Sequence, residues 1–446
     1  MAIYSATSAP LFFGMLRLNI VRIIYSAVFY FLLPLIFGRL LWRSIKAPEY
    51  RNRYWERLGL YRRNFEGPFI WFHAVSVGEA EAAFPLIKRL QQDYPAKKFL
   101  ITTTTPTGSA RVQAVLADSV AHVYLPYDTP GSVARFIAAF SPEIGVIMET
   151  EIWPNLFAAC EAKGVPICIV NARLSDKSAR GYAKIPSLIK PALACVSQIA
   201  AQTKEDAERF VSIGAERERI QSVGNLKFDI DFDPQFLDRG KQLKQEYFAG
   251  RFVWIIASTH KNEEAIILSL YPKLKASIPE LLLLLVPRHP ERFSEVERLI
   301  VSNDLKPITR SSGLKCADET DVFLLDSMGE LKLFYAAADL AFVGGSMVPV
   351  GGHNILEPAA LGVPVMFGPY MDNFREIQSN VLAVEAAVQC FNEAEILSNV
   401  DYLHQNPTAR DALVQKGLQF VADNKGAMEK IVILIGSLIG CNKGER

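Results

Sequence analysis

Glu149 and Glu151 stand two residues apart where the apolar run Ile144–Met148 ends, in Met148-Glu149-Thr-Glu151-Ile-Trp153-Pro154-Asn155. In extended chain both point to one side. Acids beside an apolar strand are costly unless solvated or paired, so they are either plain loop acids or groups with a task. A third acid follows another apolar run. In His73-Ala-Val-Ser-Val-Gly-Glu79, Gly78 permits a close turn and Glu79 opens a helix. Glu79 and Glu81 can simply complement the positive helix start. The same field keeps a carboxylate ionised, which a general base requires. Cations occupy comparable places. The loop Asn171-Ala-Arg173-Leu-Ser175, with Lys177 and Arg180, reads either as a phosphate or carboxylate holder or as a solvated charged loop. Lys227, in Gly224-Asn-Leu-Lys227-Phe-Asp229, ends a further apolar run.

The second half carries polar loops of another kind. Ser258-Thr259-His260, Pro287-Arg288-His289-Pro290 and Met328-Gly329-Glu330 each follow an apolar run. Gly344-Gly345-Ser346 and Gly351-Gly352-His353-Asn354-Ile355-Leu356-Glu357-Pro358 follow another. Glycines allow close backbone approach, and a helix start offers free N–H groups to an anion. Asn354-x-x-Glu357 alone would be read as a capping box.

Absent motifs narrow the chemistry. The chain has no Gly-x-Gly-x-x-Gly, no Walker A loop, no His-Glu-x-x-His and no Gly-x-Ser-x-Gly. Asp229, Asp231 and Asp233 lack a calcium loop's glycine and read as solvated linker acids. The six histidines show no ligand spacing, so no metal or cofactor is expected. The six cysteines form no Cys-x-x-Cys pair and read as free thiols. A net charge of +1 argues against nucleic acid as a partner.

The elements that must position these residues follow a regular alternation. Candidate strands are 69–75, 99–103, 122–125, 144–148, 167–170, 199–202 and 220–223, then 252–257, 281–286, 322–325, 340–343 and 365–367. Helical patterns such as 80–92 and 155–163 separate many of them, which specifies parallel sheets covered on both faces. The fold class is α/β, with two doubly wound Rossmann-like domains facing a cleft into which strand-end loops point. The expected division is a membrane anchor at 1–46, a first domain at 47–227, a linker at 228–251 and a second domain at 252–446.

Ile23 to Gly38 is an uncharged run between Arg17 and Arg22 on one side and Arg39, Arg43 and Lys46 on the other. Residues 1–63 hold ten Lys or Arg against two acids, Glu49 and Glu56. Basic charge beside an apolar run suits anionic lipid headgroups. The run is shorter than the roughly 20 residues a spanning helix wants, and Pro34 interrupts it. It therefore either spans as a tilted signal anchor, lies in the interface, or packs on its own domain.

Taken together, the blocks HAVSVGE (73–79), TTTTPTGSARV (102–112), METEIWPN (148–155), NARLS (171–175), NLKFD (225–229), LVPRHPERF (285–293) and GGHNILEP (351–358) resemble the 3-deoxy-D-manno-octulosonic acid (Kdo) transferases of bacterial lipopolysaccharide synthesis. The resemblance implies an inverting, metal-independent glycosyltransferase of the GT-B type. CMP-Kdo would be the donor and the tetraacyl disaccharide bisphosphate precursor of lipid A the acceptor, at the cytoplasmic side of the inner membrane. By motif position, Glu79 resembles the family's general base, and Glu149 and Lys227 its transition-state stabilisers. Pro287, Arg288, Met328, Gly329, Glu330, Asn354, Ile355, Leu356 and Glu357 match its CMP-binding positions. Two readings compete with this one: a GT-B enzyme of another donor class, and a non-catalytic membrane protein that binds lipid or nucleotide.

Overall fold

The computed structural model describes residues 9–62, 65–230 and 235–441. The chain forms two compact units, one of residues 1–229 with 426–446 and one of 230–425.

The first unit holds a parallel sheet of seven strands: β1 (Phe69–His73), β2 (Lys98–Thr103), β3 (Ala121–Tyr124), β4 (Pro142–Met148), β5 (Ile167–Ala172), β6 (Gln198–Ala201) and β7 (Ile220–Ser222). Their order is β3-β2-β1-β4-β5-β6-β7. Every residue of β1 is buried, because helices cover both faces and alternate side chains go to opposite cores. Ile70 and Phe72 join Ala83, Leu86, Ile87 and Leu90 of helix Val77–Asp93 on one face. Trp71 joins Phe136 and Phe140 on the other. Gly145 of β4 lies against that indole; a Cβ there would sit 2.9 Å from the ring, so glycine is required by contact.

The second unit repeats the plan with β8 (Phe252–Thr259), β9 (Leu281–Pro287), β10 (Pro307–Thr309), β11 (Val322–Leu324), β12 (Leu340–Val343), β13 (Val365–Phe367) and β14 (Val388–Gln389). Their order is β10-β11-β9-β8-β12-β13-β14, again parallel. In each sheet the chain order reverses at a central pair, β1/β4 in one and β8/β12 in the other, with β11 of the second sheet inserted between β9 and the edge strand β10. That pair marks the switch point where open α/β sheets bind ligands.

All twelve strands read from the sequence are present. The two short edge strands, β10 and β14, escape it: they have three and two residues, and their half-exposed positions give no continuous apolar signal. The expected linker 228–251 is largely structured, with Gln235–Tyr247 helical. That helix packs within the second unit, where a Cβ on Gly240 would lie 2.4 Å from the Ala336 methyl group. Nor does the second domain run to the C-terminus. Helix Ala427–Cys441 belongs to the first unit, burying Ile431, Leu434 and Ile435 beside the β1 core. Asp229, expected as a solvated linker acid, accepts the backbone N–H groups of Gly426 (2.6 Å) and Met428 (2.7 Å) and so caps this returning helix. Asp231 and Asp233 lie outside the described residues.

Helix α1 (Ala9–Lys46) contains a stretch, Ile20–Ile45, long and apolar enough to cross a bilayer. It is not a free rod. Tyr25 donates to Asp128 (3.0 Å), Asn155 donates to Ser26 (3.0 Å), and the rings of Phe29 and Phe37 pack on Tyr127. Near its end Arg51 donates to Ser44 (2.9 Å). The opposite face, Ile24, Val28, Phe31, Leu35, Trp42 and Ile45, is exposed, with Phe31 at 81%. These residues recur at the three-to-four spacing of one helix stripe.

Candidate active site

At the β1/β4 switch point the first unit gathers its acids. Ser76 ends the loop after β1 and caps helix Val77–Asp93. Its hydroxyl accepts the Glu79 N–H (3.3 Å) and donates to the Glu79 carboxylate (3.0 Å), which also accepts the Val75 N–H (2.6 Å). This is a reciprocal capping box, with Ser76 and Glu79 three apart. The Ser-x-x-Glu spacing carries that signal in the sequence. The Ser76 backbone N–H also bears on this carboxylate, so of about four lone pairs roughly one remains open. Glu81, by contrast, is engaged in an ion pair with Arg111.

Glu149 follows β4 with φ at 56°, a left-handed conformation that costs a non-glycine residue on the order of 1–3 kcal/mol. Asn171, at the end of β5, has φ 51°. Its side-chain oxygen accepts the Leu226 N–H (3.1 Å), and its carbonyl accepts from Gln202 (2.9 Å). Through these bonds Asn171 fixes the short turn Leu226–Phe228 that carries Lys227. The structure thus gives Asn171 a positioning task that spacing did not reveal.

Electrostatics bind the group together. Burial pushes the Glu149 carboxyl up, while the charges of Lys227 and Arg173 pull it down. Burial also raises Glu79; the Val75 N–H opposes the shift and the charge of Glu149 adds to it. Glu151 is pushed up to about 7, by burial first and then by the charge of Glu79. Near neutral pH Glu151 therefore holds a proton part of the time, while for Glu149 the charges of Lys227 and Arg173 oppose the upward push of burial. Acids whose environments separate their titrations are suited to distinct roles. Beneath them His73 is fully buried, bonded through Nδ1 to Thr102 (2.9 Å), and burial lowers it to about 4, so it stays neutral.

The second unit places its polar loops around β8/β12 and β9. Ser258 has φ 59°, where the β8 register with β9 breaks. Glu263, which opens the helix Glu263–Ser277, is buried and accepts four backbone N–H groups: His260 (3.0 Å), Gly345 (2.7 Å), Ser346 (2.9 Å) and Met347 (2.8 Å). The Gly344-Gly345-Ser346 loop was expected to offer such groups to a ligand. It does not, because an internal carboxylate has closed it. Glu263 itself was missed, since nothing local distinguishes it from an ordinary acid in a first helical turn.

Of the matched positions, Pro287 ends β9, and Arg288 is exposed just beyond it with its N–H bonded to Thr259 (3.0 Å). Met328 is exposed and Gly329 turns at φ 87°. Glu330 is held by Arg310 (3.0 Å) and by Ser327, and the Arg310 hydrogen bond lowers its carboxyl. The Asn354 side chain accepts the Leu356 N–H (3.1 Å), so it turns the chain two residues on. Ile355 and Leu356 are buried, and Glu357 lies in the first turn of the short helix Leu356–Ala360. His353 and His260 meet here, Nε2 to Nε2 at 2.8 Å.

Residues 52–230 match the family model described as 3-Deoxy-D-manno-octulosonic-acid transferase (kdotransferase). The 3-deoxy-D-manno-octulosonic acid transferase of Haemophilus influenzae is 40% identical over 93% of this chain and 98% of its own length. The chain belongs to the Kdo transferase family. The Kdo transferase of Bordetella pertussis is 35% identical over 83% of this chain and 87% of its own. A glycosyltransferase structure from Rickettsia africae superimposes with a TM-score of 0.52 at 12% identity, covering 85% of this chain and all of that one. That likeness speaks for the GT-B fold alone. Within the Kdo transferase frame, the family model ends at residue 230. It therefore covers the acidic switch point and Lys227 but none of the second unit.

Proposed function

We propose that this protein is an inverting, metal-independent transferase that moves Kdo from CMP-Kdo to the tetraacyl disaccharide bisphosphate precursor of lipid A. The observation that carries the reading is the β1/β4 carboxylate group, in which Glu79 keeps acceptor capacity and Glu149, raised by burial, feels the opposing charges of Lys227 and Arg173. Glu79 takes the proton from the acceptor's sugar hydroxyl as its oxygen attacks the anomeric carbon. The bond from that carbon to the CMP phosphate oxygen breaks, and CMP leaves with the electron pair. Attack opposite the leaving group inverts the centre. Glu149 offsets the positive charge that gathers on the sugar; Lys227 and Arg288 offset the negative charge on the departing phosphate. Side-chain cations supply this offset without a metal ion. Pro287, Met328, Gly329, Glu330 and the segment Asn354–Glu357 would hold the nucleotide.

The same reading places the protein on the cytoplasmic face of the inner membrane, with α1 lying in the interface plane. The docked face of α1 supports this, since a helix crossing the bilayer would carry Asp128 and Asn155 into hydrocarbon. The exposed stripe from Ile24 to Ile45 would face acyl chains, with Arg39 and Arg43 near headgroups. Quenching of a Phe31→Trp variant by brominated lipids should be strongest for bromines near the headgroup; deepest quenching at mid-bilayer would refute the in-plane helix.

Calorimetry with CMP and UDP tests the donor class. The proposal expects CMP to bind and UDP to bind far more weakly; preference for UDP would replace it with a UDP-sugar chemistry. Anomeric NMR of the product tests inversion.

A further inference from the structure

Two histidines from separate loops of the second unit share a hydrogen bond at its switch point. His260 follows β8 and His353 follows β12, with Nε2 atoms 2.8 Å apart. Their ring planes differ by 7° and their centroids lie 5.1 Å apart. That separation is the N···N gap plus a ring radius at each end. The rings therefore lie in one plane, edge to edge, joined by a nearly straight N–H···N bond. Such a bond needs one proton between the two Nε2 atoms. It survives the gain of one further proton on either Nδ1, which makes it charge-assisted, and is broken only when both rings are cationic.

The surroundings set when that further proton arrives. From the loop after β9 come Arg288, Arg292 and His289, whose ring centroid is 5.3 Å from that of His260. From the helix Glu263–Ser277 come Glu263, saturated by backbone N–H groups, and Glu264, which is paired with Arg292 (2.5 Å). Positive charge thus dominates around the pair. Burial, then Arg288 and the other two histidines, hold His353 down to about 3; burial and His289 lower His260. Without an anion the pair is neutral. An oxyanion arriving beside Arg288 reverses the local field, and the pair can respond by binding a proton.

We propose that His260 and His353 form a proton-linked anchor for the phosphate of the donor nucleotide, gaining one proton between them as that anion docks beside Arg288 and His289. The inference rests on the reading that this switch point binds CMP. The two histidines act as positioning residues: the extra charge fixes the phosphate, and the shared bond ties the loops after β8 and β12 together around it.

The test is titration calorimetry of the full-length protein with CMP at pH 7, in two buffers of different protonation enthalpy. The free nucleotide's second phosphate proton, with a pKa of about 6, can only be released at a cationic site. Net uptake must therefore come from the protein. The expected result is uptake approaching about one proton per CMP. It should fall to near zero in both His353→Gln and His260→Gln, with CMP affinity reduced roughly ten-fold, about 1.4 kcal/mol. Circular dichroism of each variant should match the parent. Cytidine, which lacks the phosphate, should bind with no uptake. CMP binding without uptake, uptake retained in both variants, or equal uptake with cytidine would overturn the proposal and leave the nucleotide reading standing. Failure of CMP to bind the parent protein at all would overturn both.

Discussion

Glu79 and Glu263 occupy corresponding places in the two units. Each opens the helix that follows the first strand at a switch point, and burial raises both carboxyls. Their partners differ. Glu79 is held by the Ser76 hydroxyl and by the backbone N–H groups of Val75 and Ser76, all from its own loop. Glu263 accepts four backbone N–H groups, three of them from the loop after β12. A carboxylate offers about four acceptor sites, so Glu263 is used up in holding protein to protein while Glu79 keeps capacity for a substrate proton. On the proposed reading, the same residue type at the same topological place is structural in one unit and chemical in the other.

The comparison can be broken experimentally. Its largest consequence is that Glu79→Gln loses roughly 10²–10⁴-fold in turnover while CMP affinity is unchanged, because a general base is removed and the donor site is untouched. Steady-state kinetics beside calorimetry check this, and near-parental turnover would strip Glu79 of its role. Next, Glu263→Ala leaves several buried N–H groups without partners and should destabilise the second unit by on the order of 3 kcal/mol or more, with CMP binding lost. Denaturant unfolding measures it; an unaltered midpoint would deny Glu263 its structural part. Arg288→Ala should weaken CMP binding by about 1.5–3 kcal/mol, the worth of a charge-assisted contact, with the fold intact.

The smallest effect sharpens the acidic side. Glu79 works as a base only when ionised, so turnover falls as pH drops through its raised pKa. Glu151 titrates at about 7 beside it. In Glu151→Gln the ionisation near neutrality should vanish from the kcat/KM profile, leaving an acid limb at lower pH. A profile identical to the parent's would show that Glu151 does not report on this site.

Much of this was legible in the residues. Long apolar runs such as Phe69–His73 and Leu281–Pro287 can only be strands covered on both faces, and the polar loops after them fall where parallel sheets bind ligands. What escaped depends on contacts distant in sequence. Asp229 bonds to residues near 426, Glu263 to a loop beyond 344, and His260 to His353. No local spacing encodes such pairings. The Ser76–Glu79 box is local, and its Ser-x-x-Glu spacing is readable in the residues. The helical run at the N-terminus gave its length and composition but not its docked face, which is defined by Asp128, Asn155 and Tyr127, far onward along the chain.

The most direct test of the division between an acid switch point and a nucleotide switch point is the transfer itself. Full-length protein is incubated with CMP-Kdo and the tetraacyl disaccharide bisphosphate, and the lipid is read by mass spectrometry. The account predicts lipid heavier by whole Kdo residues with matching release of CMP, and no mass gain in Glu79→Gln on the same timescale. Unmodified lipid alongside tight CMP binding, or equal gain with Glu79→Gln, would contradict it.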